Sequence, residues 1–173
     1  GPAVTQYTLR PSQGIKLARI VSLQNDLALA LAAHPIRMEA PIPGQSLVGI
    51  EVTNTKVATV TLRDVMESQG FKDRTSLLSV PLGKDVSGDT LTIALQKMPH
   101  LLVAGATGSG KSVCLNTMIV SWLYQNGPDD LKLILIDPKR VELTIYNGIP
   151  HLLVPPITNV DDTVNALKWT VRE

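Results

Sequence analysis

Apolar positions are spaced unevenly along the chain, and their intervals predict its elements. Leu17, Ile20, Val21, Leu27 and Leu31 recur with five alanines across residues 16–33, which predicts a helix ended by His34-Pro35. Ahead of it, residues 3–9 alternate loosely and run into Pro11-Ser12-Gln13-Gly14, the pattern of a strand and a turn. Beyond it, residues 36–40 are expected as a strand followed by the turn Pro41-Ile42-Pro43-Gly44. Residues 48–52 and 57–62 read as two strands around Thr53-Asn54-Thr55, and residues 62–69 as a short helix. Residues 1–75 are thus expected as a small α/β domain of mixed order.

Residues 77–82 and 91–95 read as a hairpin around the polar stretch 83–89, and then the pattern changes. Residues 100–104 are expected as a buried strand, 111–125 as a helix ended by Asn126-Gly127-Pro128, and 131–136 as a second strand without alternation. Another helix is expected over residues 161–172. Continuous apolar strands separated by a helix indicate a parallel sheet covered on both faces, so the fold class is α/β. Residues 76–173 amount to about half of a doubly wound core. Two parallel strands bury too little alone, so the hairpin and first domain must supply the rest, or the chain is a truncated core.

Composition narrows this only slightly. The 173 residues are 44% hydrophobic and 18% charged, a globular mixture rather than a disordered one. Sixteen basic against fifteen acidic residues leave a net charge of +1, without the basic excess of a dedicated nucleic-acid-binding domain. The single cysteine, Cys114, is expected in packed core and excludes an intrachain disulfide. A cytosolic compartment fits that cysteine count, and no apolar run has the ~18 residues of a membrane span. The chain opens on Gly1-Pro2 without an initiator methionine, read as a protease scar or a cut from a longer protein.

One motif carries chemistry. Gly105-Ala106-Thr107-Gly108-Ser109-Gly110-Lys111-Ser112 fits G-x-x-x-x-G-K-[ST], placed between an expected strand and an expected helix. Glycines let the backbone approach a polyphosphate and turn its N–H groups onto it, and the helix adds its positive end. Lys111 is the expected catalytic charge for the β- and γ-phosphate oxygens, and Ser112 the expected Mg²⁺ ligand. Thr107 and Ser109 shape the loop, and Val113 completes the nucleotide-binding stretch. The cofactors expected are ATP and Mg²⁺.

Hydrolysis needs a strand-end carboxylate near the metal and a group to orient water. Asp137 ends an apolar strand but is followed by Pro138, and its strand comes directly after the loop's helix. A structural or substrate-sensing role is therefore expected for Asp137, with Mg²⁺ ligation as the alternative. Glu142 is the other nearby carboxylate, expected to be a bystander.

These residues also carry a resemblance. The opening Gly1-Pro2-Ala3-Val4-Thr5-Gln6-Tyr7 is joined by Ile42-Pro43-Gly44 and by Met98-Pro99-His100-Leu101-Leu102-Val103-Ala104-Gly105 running into the loop. Ile136-Asp137-Pro138-Lys139 and Gly148-Ile149-Pro150-His151-Leu152-Leu153 follow. With these motifs the whole chain resembles the FtsK/SpoIIIE family of hexameric double-stranded DNA translocases, its SpoIIIE-like members in particular. The resemblance implies an N-terminal domain over 1–75 that forms one tier of a ring. It implies the N-terminal part of a RecA-like P-loop ATPase domain over 76–173. It also implies a Walker B strand ending in Asp-Glu, a trans-acting arginine, DNA-gripping loops and a winged helix in the remainder of the same polypeptide, beyond residue 173. Membrane helices and a linker would precede this portion, making it the cytoplasmic motor part of a membrane-anchored protein that moves double-stranded DNA in chromosome partition.

These 173 residues by themselves are expected to lack hydrolysis and DNA gripping; the alternatives are a nucleotide-binding assembly module without activity and a related secretion-type ATPase that moves protein. Lys139 and Arg140 are expected as a solvated pair, and Arg10, Lys16, Arg19 and Arg37 as scattered surface charges. His100 and His151 are expected to pack or cap, with no metal cluster. Trp122, Tyr124 and Trp169 are expected in core or interface packing rather than base stacking.

Overall fold

Alternation and β-branched residues set the first sheet. The computed structural model describes residues 1–33, 35–98 and 100–172, and in it β1 (Val4–Leu9), β2 (Ile36–Glu39) and β3 (Val48–Thr53) form an antiparallel sheet in the order β1-β3-β2. Val4 lies opposite Thr53 and Leu9 opposite Val48; on the other edge Ile36 faces Val52 and Glu39 faces Gly49. Val48 and Gly49 are buried at the centre. A Cβ on Gly49 would stand 2.9 Å from Gln6 Nε2 and 3.2 Å from Ile42 Cδ1, so a larger residue at this crossing would displace the Gln6 side chain and crowd Ile42. Glu51 is buried beside it and meets Arg37, its cross-strand partner, at 3.7 Å.

The single helix expected over 16–33 is two: α1 (Leu17–Val21) and α2 (Gln24–Ala30). The Ser22 hydroxyl donates to the Arg19 carbonyl at 2.8 Å, a local bond that competes with helix continuation. Gln24 Nε2 donates to Ile36 O at 2.6 Å and ties α2 to β2. The helix end expected at His34 lies outside the described residues.

Residues 57–61 do not form the expected strand. They lead into Thr61, which caps α3 (Leu62–Met66): Asp64 N donates to Thr61 Oγ1 at 3.1 Å and Thr61 N to Asp64 Oδ2 at 3.0 Å. This reciprocal box outweighs the β-propensity of the run before it. The Thr61 hydroxyl, then its N–H, hold the Asp64 carboxyl below its ordinary range. Ser68 caps α4 (Gln69–Lys72), and Val65 and Phe71 are buried along these two turns.

The hairpin forms as expected, from β4 (Ser79–Lys84) and β5 (Thr90–Ala94). Asp85 Oδ1 accepts from Ser87 N and Asp89 N, each at 2.9 Å, and closes its turn. Gly1–Asp73 with Pro81–Thr92 make one compact unit, and Arg74–Val80 with Ile93–Glu173 a second.

In the second unit α5 (Lys111–Gln125) spans the expected residues and buries Met118, Ile119 and Ser121. Ile119, Leu135 and Tyr146 form its core, with Leu123, Leu133, Leu143, Ile149 and Leu152 around them. Each large apolar side chain so buried contributes roughly 1.5–3 kcal/mol. Residues 131–136 do not form the expected continuous strand; they meet 152–157 in parallel at two isolated bridges, Leu133 opposite Leu152 and Ile136 opposite Ile157. Leu133 N donates to His151 O at 2.8 Å, Leu153 N to Leu133 O at 3.0 Å, and Ile157 N to Leu135 O at 2.8 Å. Pro155-Pro156 lack N–H donors, which interrupts this ladder between its two ends.

Residues 100–104 do not form the buried strand expected before the glycine loop: Leu101 and Ala104 are exposed and Leu102 is 89% exposed. A short apolar run does not by itself fix a strand; it needs a paired neighbour. The last helix, α6 (Val160–Thr170), is capped by Asn159, whose Oδ1 accepts from Asp162 N at 2.8 Å. The chain is mixed α/β, with an antiparallel sheet early and parallel pairing late. Among the described residues no helix is long and apolar enough to cross a membrane.

Candidate phosphate-binding loop

The loop takes its path from two glycines. Gly108 and Gly110 have φ of 79° and 93°, in the left-handed region where a side chain is strained, and Gly110 is the N-cap of α5. Ser109 N donates to Ala106 O at 3.1 Å and Cys114 N to Gly110 O at 2.9 Å, which turns the loop directly into the helix. A Cβ on Gly105 would collide with Ser109 Oγ, so a larger residue at the base of the loop would displace the Ser109 side chain. Residues 105–110 are exposed, Lys111 and Ser112 half-buried, and Val113 exposed. No acidic residue stands in the first turn of α5, so the positive end of the helix is not neutralised there.

Lys111 Nζ donates to Gly105 O at 2.6 Å and to Ala106 O at 2.8 Å. The ammonium therefore sits across its own loop, held by neutral carbonyls. An open backbone, two glycines at positive φ, a helix N-terminus and a lysine within the loop fit a polyphosphate.

The hydroxyl of Ser112 is also engaged: Ser112 Oγ donates to Glu142 Oε1. Asn116, one turn further along the same helix face, donates from Nδ2 to Ser112 O at 2.9 Å and accepts from Tyr146 Oη at 2.5 Å. Burial pushes the Tyr146 phenol above its ordinary value.

Asp137 is buried at the end of its parallel pairing, where its N–H donates to Ile157 O at 2.8 Å. Its Oδ2 accepts from Glu142 N at 2.9 Å and Leu143 N at 3.0 Å. The Leu143 N–H, then the Glu142 N–H, hold its carboxyl below the ordinary 3.8 against the opposing effect of burial. Asp137 thus closes the loop that follows it, helped by Arg140 N on its carbonyl at 3.1 Å, and the carboxylate against Ser112 is Glu142.

The structure therefore brings Gly105, Ala106, Lys111 and Ser112 into one constellation with Glu142, and sets Asp137 one step behind it. Lys139 and Arg140 are exposed. His151 is buried and its Nε2–H donates to Asn126 O at 3.0 Å, while His100 is exposed. Trp122 and Cys114 are half-buried, whereas Tyr124 and Trp169 are exposed and so lie outside the core. Sequence reasoning passed over Asn116 and Tyr146; the only available signal was Asn116 at i+4 from Ser112, which puts both on one helix face.

With this geometry established, the family match decides the affiliation. Residues 61–173, well over half of the chain, match the FtsK/SpoIIIE family, and residues 1–54 match the FtsK alpha domain. The chain belongs to the FtsK/SpoIIIE family. It is 57% identical to the DNA translocase FtsK of Caldanaerobacter subterraneus subsp. tengcongensis over all 173 residues, covering 24% of that protein. It is 54% identical to the DNA translocase FtsK of Clostridium acetobutylicum, again over its whole length and 23% of the relative. The FtsK/SpoIIIE chain here thus spans about a quarter of the length of these relatives. The solved pCW3 conjugation coupling protein TcpA, in its monomer form with ATPγS, is 23% identical, with a TM-score of 0.49 over 99% of this chain and 45% of that one.

Proposed function

We propose that the chain carries the ATP-binding loop of an ATP-driven double-stranded DNA translocase acting in chromosome segregation during division or sporulation. The observation that carries this is the loop 105–112 itself, opening into α5 with Lys111 Nζ on Gly105 O and Ala106 O. The loop N–H groups and Lys111 would hold the phosphates, with the Lys111 ammonium exchanging neutral carbonyls for anionic oxygens. Mg²⁺, held from the protein side at Ser112, would neutralise charge on the phosphate oxygens. Under this reading residues 1–75 are one tier of a homo-oligomeric, hexameric ring, and residues 76–173 begin its RecA-like ATPase domain. The parent protein would be anchored in the bacterial membrane by other segments, and turnover and DNA movement are proposed for a protein of its relatives' length.

Fluorescent ATPγS binding to the chain tests the loop, and DNA-stimulated ATP turnover by the parent tests the motor. Lys111→Ala should weaken the first by about 10- to 100-fold and abolish the second; ATP-driven DNA movement that persists in that variant would refute the reading.

A further inference from the structure

Glu142 is fixed at both ends. Its side chain accepts the Ser112 hydroxyl proton, and its own N–H is held by Asp137 Oδ2 at 2.9 Å. The neighbouring Leu143 N–H goes to the same oxygen at 3.0 Å, so Asp137 holds the backbone from which the Glu142 side chain reaches Ser112. On the other side Asn116 grips the Ser112 carbonyl at 2.9 Å and Tyr146 holds Asn116. Ser112 is therefore constrained through its backbone and its side chain at once.

That arrangement has a chemical meaning. A hydroxyl carries one proton and two lone pairs. When a carboxylate takes the proton, the lone pairs are turned away from it and made more basic. A hard divalent cation prefers such an oxygen, and partners behind the ligand commonly set its direction and affinity. Glu142 and Ser112 form a pair of this kind at the first turn of the helix that follows the glycine loop.

We propose that Glu142 is the positioning residue of the divalent-cation site on this loop: it fixes the Ser112 hydroxyl so that its oxygen faces the cation that accompanies a bound nucleotide. The inference rests on the nucleotide reading above and adds to it. Asp137 acts one step further back, through the backbone of Glu142.

The test separates cation from nucleotide. The affinity of the whole chain for fluorescent ATPγS is measured in EDTA and across a Mg²⁺ titration, with Mn²⁺ bound to the complex read by electron paramagnetic resonance. Glu142→Ala should weaken the cation by about 10- to 100-fold, the usual loss for an outer partner of a metal ligand, and leave the affinity in EDTA unchanged. Glu142→Gln, which keeps an acceptor without the charge and preserves the packing, should fall between the two. Wild-type cation affinity in both variants overturns the proposal. So does an equal loss with and without cation, which a purely structural role would produce. Lys111→Ala distinguishes the two readings. If it weakens nucleotide binding while the Glu142 variants keep their cation response, only this inference fails; if it binds nucleotide like wild type, the loop reading fails and this one with it.

Discussion

The ammonium of Lys111 lies 2.6 Å from the carbonyl oxygen of Gly105, at the opposite end of the same loop. With the second bond to Ala106 O at 2.8 Å, one side chain spans the turn it is meant to serve. Both bonds are exposed, so they add little to folding, but they park the charge where phosphate oxygens would approach. Lys111→Ala should leave the urea midpoint nearly unchanged and weaken ATPγS by about 10- to 100-fold, the worth of a hydrogen bond to a charged group. Isothermal titration alongside urea unfolding reads both quantities. A large stability loss with unchanged affinity would make Lys111 a structural clasp.

Gly110 makes a different prediction. Its φ of 93° lies in the left-handed region, yet nothing stands within 4 Å of where a Cβ would sit. The cost of Gly110→Ala is therefore conformational and not steric, about 1–2 kcal/mol for a left-handed alanine. Unfolding in urea should show that loss, and nucleotide affinity should fall because relief of the strain moves the first N–H groups of α5. At Gly105 the order is reversed: alanine collides with Ser109 Oγ while no unusual φ is needed. A comparison of the two variants separates backbone strain from crowding.

What the sequence made legible was local. Lys111–Gln125 stands as expected because its start is a glycine cap and its end is Asn126-Gly127-Pro128, signals written within a few residues. The glycine loop is equally local. Leu101 and Leu102 misled because an apolar run carries no information about which strand will pair with it. Residues 57–61 misled because the Thr61–Asp64 box competes with a β-branched run, and the box prevails. Glu142 lies thirty residues from Ser112, and no periodicity connects them. Their contact depends on Asp137 folding the intervening loop, a tertiary fact.

The far end of α5 carries a stability prediction. Asn126 is buried and its Nδ2 donates to Leu77 O at 2.9 Å and to Trp122 O at 2.8 Å, while its carbonyl accepts from His151 Nε2 at 3.0 Å. One side chain thus ties the helix end to residue 77. Asn126→Ala removes both bonds and should cost about 0.5–1.5 kcal/mol for each, the net worth of a neutral hydrogen bond. Equilibrium urea unfolding should show a lower midpoint with an unchanged slope, since the surface exposed on unfolding is the same. A wild-type midpoint would mean that water replaces the amide at no cost.

Asp137 ties stability to pH, and the sign follows from its partners. The Leu143 and Glu142 N–H groups hold its carboxyl below the ordinary 3.8, so between its folded and unfolded values the unfolded chain binds the extra proton. The stabilisation is complete above the unfolded value and is lost as pH falls through the folded one. Asp137→Asn mimics the protonated group and should be less stable than wild type near neutral pH. Asp64 shifts in the same direction, but it is present in both proteins and cancels from their difference. Urea unfolding of the pair from about pH 6 to about pH 2.5 should therefore show the gap closing as the medium becomes acid. Hydrogen exchange at the Glu142 and Leu143 amides should be faster in the variant at the upper end of that range. A gap that stays constant through the acid range would show that the charge on Asp137 does not hold this loop, and that shape alone keeps Glu142 against Ser112.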